Sequence, residues 1–257
     1  RFNAEFGLTG LPRWDDPRFS DWRRRQVTDF LRWVNADLLE IKPGLVISAS
    51  VFANIPDSYG NRFADWPAWN LEGIIDITVP MDFSPNNQGI FNPRVDEAWK
   101  NRGIRQVYIG QAAYMNTLQN TLAQLNYIRG KGISGTLFYS YRQPNCDKLK
   151  QEQVFSFIKE HFQPAETHTP SLSWKRDMGI IKGTVRRMGR PVYNAMVTLG
   201  TDPPRTQKTE PHGKYAFFSV HPGRYKLRAE ATSGDGITQT IEVRGGQVLD
   251  GKLELCQ

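Results

Sequence analysis

The sequence predicts an α/β region over residues 1–162, the second half of a TIM-type β/α barrel, joined through a linker at 163–177 to a small all-β sandwich over residues 178–257. Three observations lead there. Up to Gln163, short apolar runs alternate with helix-periodic segments at a repeat of about 30 residues, the pattern of right-handed βαβ crossovers in a parallel sheet. From Phe162 to Asp177 the periodicity stops and Pro, Thr and Ser accumulate, which marks a linker. Beyond it, short alternating segments are separated by Gly and Pro turns, as in a sandwich.

The elements follow in order. Trp22, Val27, Phe30, Leu31, Val34, Leu38 and Leu39 recur at helical spacing from Ser20 to Ile41, with Arg23, Arg24 and Arg25 expected on the solvated face. Lys42-Pro43-Gly44 then opens a buried strand, Leu45 to Val51. Trp66 to Leu71 reads as a short helix feeding a strand from Gly73 to Pro80. Asn92 to Gly103 is helical, Gln106 to Gly110 a strand, Leu118 to Gly130 a helix, Ile133 to Tyr139 a fourth strand and Gln151 to Phe162 a closing helix. In the last region, strands are expected at Gly179–Val185, Ala195–Leu199, Tyr215–Phe218, Tyr225–Ala229 and Thr238–Val243. Four βα units are too few for a closed eight-fold barrel, which takes roughly 250 residues. They make either a small open sheet or a half-barrel, and the start at Arg1 instead of Met favours the half-barrel, with a segment expected before it.

Composition narrows the function classes. The chain has 257 residues, 39% of them hydrophobic and 23% charged, which excludes disorder. No apolar run approaches the roughly 18 residues of a bilayer span, so no membrane span is expected. A surplus of 33 basic over 26 acidic residues suits an anionic partner, or merely solubility. No zinc-finger spacing, RNA-binding aromatic signature or helix-turn-helix pattern accompanies it, so no nucleic acid is expected as partner. No glycine-rich phosphate loop follows a strand, and the four histidines fall in the last helix, the linker and the sandwich; neither a nucleotide cofactor nor a metal is expected. Cys146 and Cys256 are either free thiols or one disulfide.

Both halves resemble known families. Leu45 to Phe52, Asp65-Trp66 with Trp69, Gly73 to Met81, Tyr108 to Gly110 and Gly135 to Ser140 resemble, in order and spacing, the glycosyl-hydrolase-like barrels distantly related to family-ten xylanases. In that family a His-x-Asp-Tyr-x-Arg-Tyr/Phe motif ends the fourth strand, and Arg1-Phe2 with Phe6-Gly7 resembles its tail. Gly183-Thr-Val185, Pro191 to Val197, Gly213 to Phe217 and Pro222 to Tyr225 resemble a carboxypeptidase-regulatory-like sandwich of transthyretin (prealbumin, Ig-like) type, although Pro211-His212 stands where such domains usually carry Asp. The resemblance implies a glycoside hydrolase acting on O-glycosyl bonds of a polymeric glycan of the cell-wall type, outside the cytoplasm, or a glycan-binding scaffold of the same shape without a working acid pair.

A barrel carries its active site at the carboxyl ends of its strands. On the present strands these are Ser48, Ser50 and Phe52; Met81, Asp82 and Phe83; Gln111 and Tyr114; Ser140 and Tyr141. Asp82 is the one carboxylate among them and the candidate catalytic acid, whereas glycosidases commonly use two. The resemblance places the second on the strand-four motif, before Arg1. The plain alternative for Asp82 is a solvated loop carboxylate capping the turn before Ser84-Pro85-Asn86-Asn87. Ser50, Asp57, Tyr59, Phe83, Gln111, Tyr114 and Tyr141 are the candidate substrate-binding residues. Trp66, Trp69 and Trp99 are potential sugar platforms whose simpler role is core packing. Asp76 at the start of its strand is expected to be structural, and Asp65 to be a helix N-cap.

Overall fold

The computed structural model describes residues 1–85 and 89–256. Packing divides them into two compact units: Val46–Ser171, and Arg1–Leu45 together with Leu172–Gln257. The first 45 residues therefore pack with the C-terminal strands, a division that does not follow the change of sequence texture at 163–177.

Helix α1 (Phe2–Phe6) and helix α2 (Pro17–Ile41) begin the chain. α2 starts three residues before the apolar periodicity, because Asp16 accepts a hydrogen bond from the Arg18 amide and Pro17 sits in the first turn. Phe2 is buried against Phe19 and Trp22. The three arginines are not a solvated face. Arg24 is 11% exposed and paired with Asp21, Arg25 meets Glu5 at 2.5 Å, and Arg23 lies over the Phe19 ring at 4.4 Å. Their long stems are amphipathic and cover apolar surface, while Phe30, Val34 and Leu38 remain partly exposed.

The unit Val46–Ser171 holds strands β1 (Ser48–Phe52), β2 (Ile77–Asp82), β3 (Gln106–Ala112) and β4 (Gly135–Tyr139), hydrogen-bonded in that order and all parallel. Helices α3 (Ile55–Gly60), α4 (Trp66–Glu72), α5 (Phe91–Lys100), α6 (Leu118–Gly130) and α7 (Gln151–His161) alternate with them. This is the parallel, partly barrel-like α/β sheet expected. α3 is absent from the sequence reading; its signal is Asn54, whose side chain caps the Asp57 amide, followed by Pro56 in the first turn. β2 starts later than expected because Gly73 ends α4 in the left-handed conformation, φ 76°, and the next residues must turn before the strand can begin. Val51, Val79, Val107, Ile109, Leu125 and Val154 are buried in this unit.

In the second unit a short helix α8 (Trp174–Asp177) precedes β5 (Gly179–Arg187), β6 (Arg190–Pro191), β7 (Met196–Leu199), β8 (Arg205–Lys208), β9 (Lys214–Val220), β10 (Gly223–Glu230), β11 (Gly236–Val243), β12 (Val248–Asp250) and β13 (Leu253–Leu255). One sheet runs β11-β10-β7-β8, all antiparallel. The other is built on β5, which pairs antiparallel with β6 and β9 and parallel with β12 and β13. Ile181, Val185, Leu199, Phe217, Leu227 and Leu253 fill the core, each at most 2% exposed. β6, β8, β12 and β13 are not legible as strands in the sequence, being only two to four residues long. Both cysteines are free and exposed. No described helix is long and apolar enough to cross a membrane.

Candidate functional site

The period of two along a strand sorts the sheet's side chains onto two faces. Register places Ala49, Val51, Thr78, Pro80, Asp82, Val107, Ile109 and Gln111 together. This face is covered by helices: Thr78 donates to Asn70 on α4, and the Gln111 amide donates to Gln124 on α6 at 3.1 Å. The opposite face carries Ser48, Ser50, Phe52, Met81, Tyr108, Gly110, Leu137 and Tyr139. Ser48, Ser50, Phe52, Leu137 and Tyr139 on it are exposed.

At the carboxyl edge of this open face three rings meet. Phe83 stacks on Tyr139 at 5.2 Å, and Tyr114 packs edge-on against Tyr139 at 6.0 Å. On the same face Gly135 leaves room for the Tyr108 ring, which an added Cβ would meet at 2.7 Å. Tyr139 is 57% exposed and Tyr141, stacked on Phe155 at 5.6 Å, is 70% exposed. Mutually braced rings, of which Tyr139 is exposed and Phe83 and Tyr114 are half-buried, suit the C–H face of a pyranose.

Asp82 does not join them. Its side chain is 1% exposed and lies on the helix-covered face, where Ser84 Oγ donates to Oδ1 at 3.0 Å and Arg94 on α5 approaches at 3.3 Å. Its Oδ2 is buried without a hydrogen-bond partner. Burial pushes its pKa up to about 6, against the opposing pull of Ser84 and Arg94. Of the turn it was expected to cap, Ser84 is its partner, while Asn86 and Asn87 lie outside the described residues. Gln111 is fully buried on the same covered face. Sequence spacing alone points to strand ends, and the parity of the residue then decides which face its side chain takes.

Asp57 and Tyr59 sit on α3. Asp57 accepts from Asn61 at 2.7 Å and faces Arg62 at 3.5 Å, and these partners hold its carboxyl below the usual range. Tyr59 is exposed, and Arg62 lies over the Phe52 ring at 4.4 Å. Trp66 and Trp69 are core residues, Trp66 donating its indole N–H to the Phe52 carbonyl at 3.2 Å. Trp99 is covered by the Arg102 guanidinium at 3.7 Å. Asp65 caps α4, accepting from the Ala68 amide. Asp76 is buried and accepts the Ile47 amide at 2.9 Å. The sequence reading missed Tyr139, the centre of the aromatic cluster. Its signal was the parity of Gly135, Leu137 and Tyr139 along an alternating strand.

Residues 2–122 match the family described as glycosyl hydrolase-like 10, and residues 180–255 match the carboxypeptidase regulatory-like domain. No curated protein matches the chain. Among solved structures, the TIE protein of Bacillus anthracis is 16% identical with a TM-score of 0.29, covering 32% of this chain and 17% of its own. A candidate carbohydrate-binding protein of Bacteroides uniformis is 14% identical with a TM-score of 0.27, over 31% of this chain and 41% of its own. Another from Pseudomonas aeruginosa is 17% identical with a TM-score of 0.23, over 32% of this chain and 90% of its own. The chain thus spans less than half the length of the first two.

Proposed function

We propose that this chain, a glycosyl hydrolase-like domain over residues 2–122 followed by a carboxypeptidase regulatory-like domain over 180–255, binds a polymeric glycan of the cell-wall type along the carboxyl edge of its parallel sheet. The supporting observation is the braced cluster of Phe83, Tyr139 and Tyr114 at the edge of a face whose strand residues are uncharged. Ser50 lies on the same face of the sheet, and Tyr59 and Tyr141 are exposed. On this reading the geometry serves binding rather than acid–base work, because the face carries no carboxylate on its described strand positions. An extracytoplasmic setting belongs to the same proposal, since regulatory-like modules of the C-terminal type mostly accompany such proteins.

Tyr139→Ala is expected to weaken retention on an insoluble cell-wall glycan or a soluble β-glucan about tenfold, the loss of one aromatic stacking contact of roughly 1.5 kcal/mol. Affinity electrophoresis against those polymers measures it. Equal retention of the variant and the parent would remove the aromatic edge from the proposal.

One observation favours a second reading, hydrolysis of O-glycosyl bonds: a carboxyl titrating at about 6 is suited to act as a general acid. It requires the segment at Phe83 and Ser84 to move so that Asp82 reaches the substrate. If the protein cleaves a glycan and Asp82→Asn cleaves it equally fast, this role for Asp82 is wrong.

A further inference from the structure

The three rings at the carboxyl edge of the parallel sheet come from three different strand ends: Phe83 follows β2, Tyr114 follows β3, and Tyr139 closes β4. A stack assembled from separate connections is only as well ordered as the backbone beneath it, and freedom left in it must be frozen out when a ligand binds. Here the backbone beneath converges on one side chain.

Asn116 ends the short 3₁₀ turn Ala113–Met115 that carries Tyr114, and it is fully buried. Its side-chain amide donates to the Ala112 carbonyl at 3.0 Å, at the end of β3, and to the Ser84 carbonyl at 3.3 Å, one residue beyond Phe83. The amide nitrogen carries two protons, so both bonds are made at once. The backbone carbonyl of Asn116 accepts the Cys146 amide at 2.9 Å, in the connection that follows β4. One residue thus ties together the segments that leave β2, β3 and β4. Gln124 on α6, 1% exposed, supports it: its amide donates to the same Ser84 carbonyl at 3.3 Å, and its own carbonyl oxygen accepts Gln111 at 3.1 Å. Phe83 is therefore flanked by Asp82 and Ser84, whose polar atoms are engaged on the covered side, and its ring is left to the open edge.

We infer that Asn116 is the positioning residue of the aromatic edge: by holding the Ser84 and Ala112 carbonyls together, it sets Phe83 and Tyr114 where both close on Tyr139. The arrangement of the rings follows from this clasp whatever the ligand. That Asn116 also governs affinity for a glycan, without touching it, rests on the function proposed above.

The test uses the full chain with fluorotyrosine in place of tyrosine, the fluorine NMR signals of Tyr114 and Tyr139 being assigned through Tyr114→Phe and Tyr139→Phe. Asn116→Ala should move both signals from their parent positions and leave in place those of Tyr215 and Tyr225, which lie in the other unit. Val95→Ala, a core truncation on α5 of the same unit, reproduces a loss of stability without opening the clasp and should move neither. Asn116→Asp keeps the shape but can donate only when protonated, and then only one bond. Compared with the parent at each pH, because Asp82 also titrates, its shifts should shrink from about pH 7 to about pH 5, while those of Asn116→Ala should not. Asn116→Asp decides the question where Asn116→Ala does not fold. Binding of a soluble β-glucan should fall about fivefold in Asn116→Ala, and this loss should disappear when Tyr139→Ala is already present, since the two act through one stack. Parent-like Tyr114 and Tyr139 signals in folded Asn116→Ala, equal shifts in Val95→Ala, or no recovery of Asn116→Asp at the lower pH would each overturn the inference. A parent that does not bind the glucan would count against the glycan reading alone, because the ring signals decide the clasp without it.

Discussion

Replacing Asp76 with alanine is expected to destabilise the Val46–Ser171 unit by about 3–5 kcal/mol, the cost of leaving a buried charge without its counter-charge. Asp76 is 3% and Arg105 6% exposed. The carboxylate accepts the Ile47 amide at 2.9 Å just before β1, while Arg105, just before β3, donates to the Gly73 carbonyl at 2.9 Å. The pair therefore ties together the entries to three neighbouring strands. Burial lowers the Arg105 pKa to about 10, and the charge of Asp76 works in the opposite direction. Without that charge the guanidinium stays buried and the Ile47 amide loses its acceptor. Denaturant unfolding followed through Trp66 and Trp69, both in this unit and both buried, measures the effect. A shift below about 1 kcal/mol would mean that water or a rearranged side chain replaces the carboxylate, and that Asp76 is not the clasp described.

Asp82 should make the same unit less stable as the pH rises. Its pKa is raised from 3.8 to about 6 in the folded chain, so between these values the folded state holds more protons than the unfolded one. The stabilisation is present in full below pH 4, declines as pH rises through 6, and is gone above it. It amounts to about 3 kcal/mol at 1.36 kcal/mol per pKa unit. Asp57 and Asp96, held below the usual carboxylate range in the same unit, act oppositely, so the measured quantity is the difference between the parent and Asp82→Asn. That difference, from unfolding midpoints at pH 4.5 and pH 7.5, should favour the variant progressively toward high pH. A difference that does not change with pH would show that Asp82 ionises as an ordinary surface carboxylate.

These two aspartates also mark the boundary of what could be read without a structure. Asp76 was legible: a carboxylate at the start of a barrel strand lies on the stability face, and there it is found holding a backbone amide. Asp65 was legible too, as a polar residue in front of Trp66-Pro67, and it caps α4. Asp82 was legible only in position along its strand. Which side of the sheet it takes depends on register with β3, where it stands opposite Gln111, and a one-residue difference in strand phase exchanges the two faces. Register likewise decides Tyr139, whose alternation with Leu137 is visible in the sequence but whose face is set by its pairing with Ala112.

By itself, then, the sequence determined the local and periodic features of this protein. The alternation of apolar runs with amphipathic helices specified the parallel sheet, and glycine-spaced alternating strands specified the sandwich, because backbone hydrogen bonding and apolar burial act within a few residues along the chain. The tertiary structure alone decided what comes together across distance. It packed α2 against β9, paired Lys182 with Asp37 across 145 residues, stacked Phe83 on Tyr139, and removed Asp82 from solvent. Those outcomes depend on strand register, on the direction in which each helix returns, and on which charges find partners when water is excluded, none of which is written in the spacing of neighbouring residues.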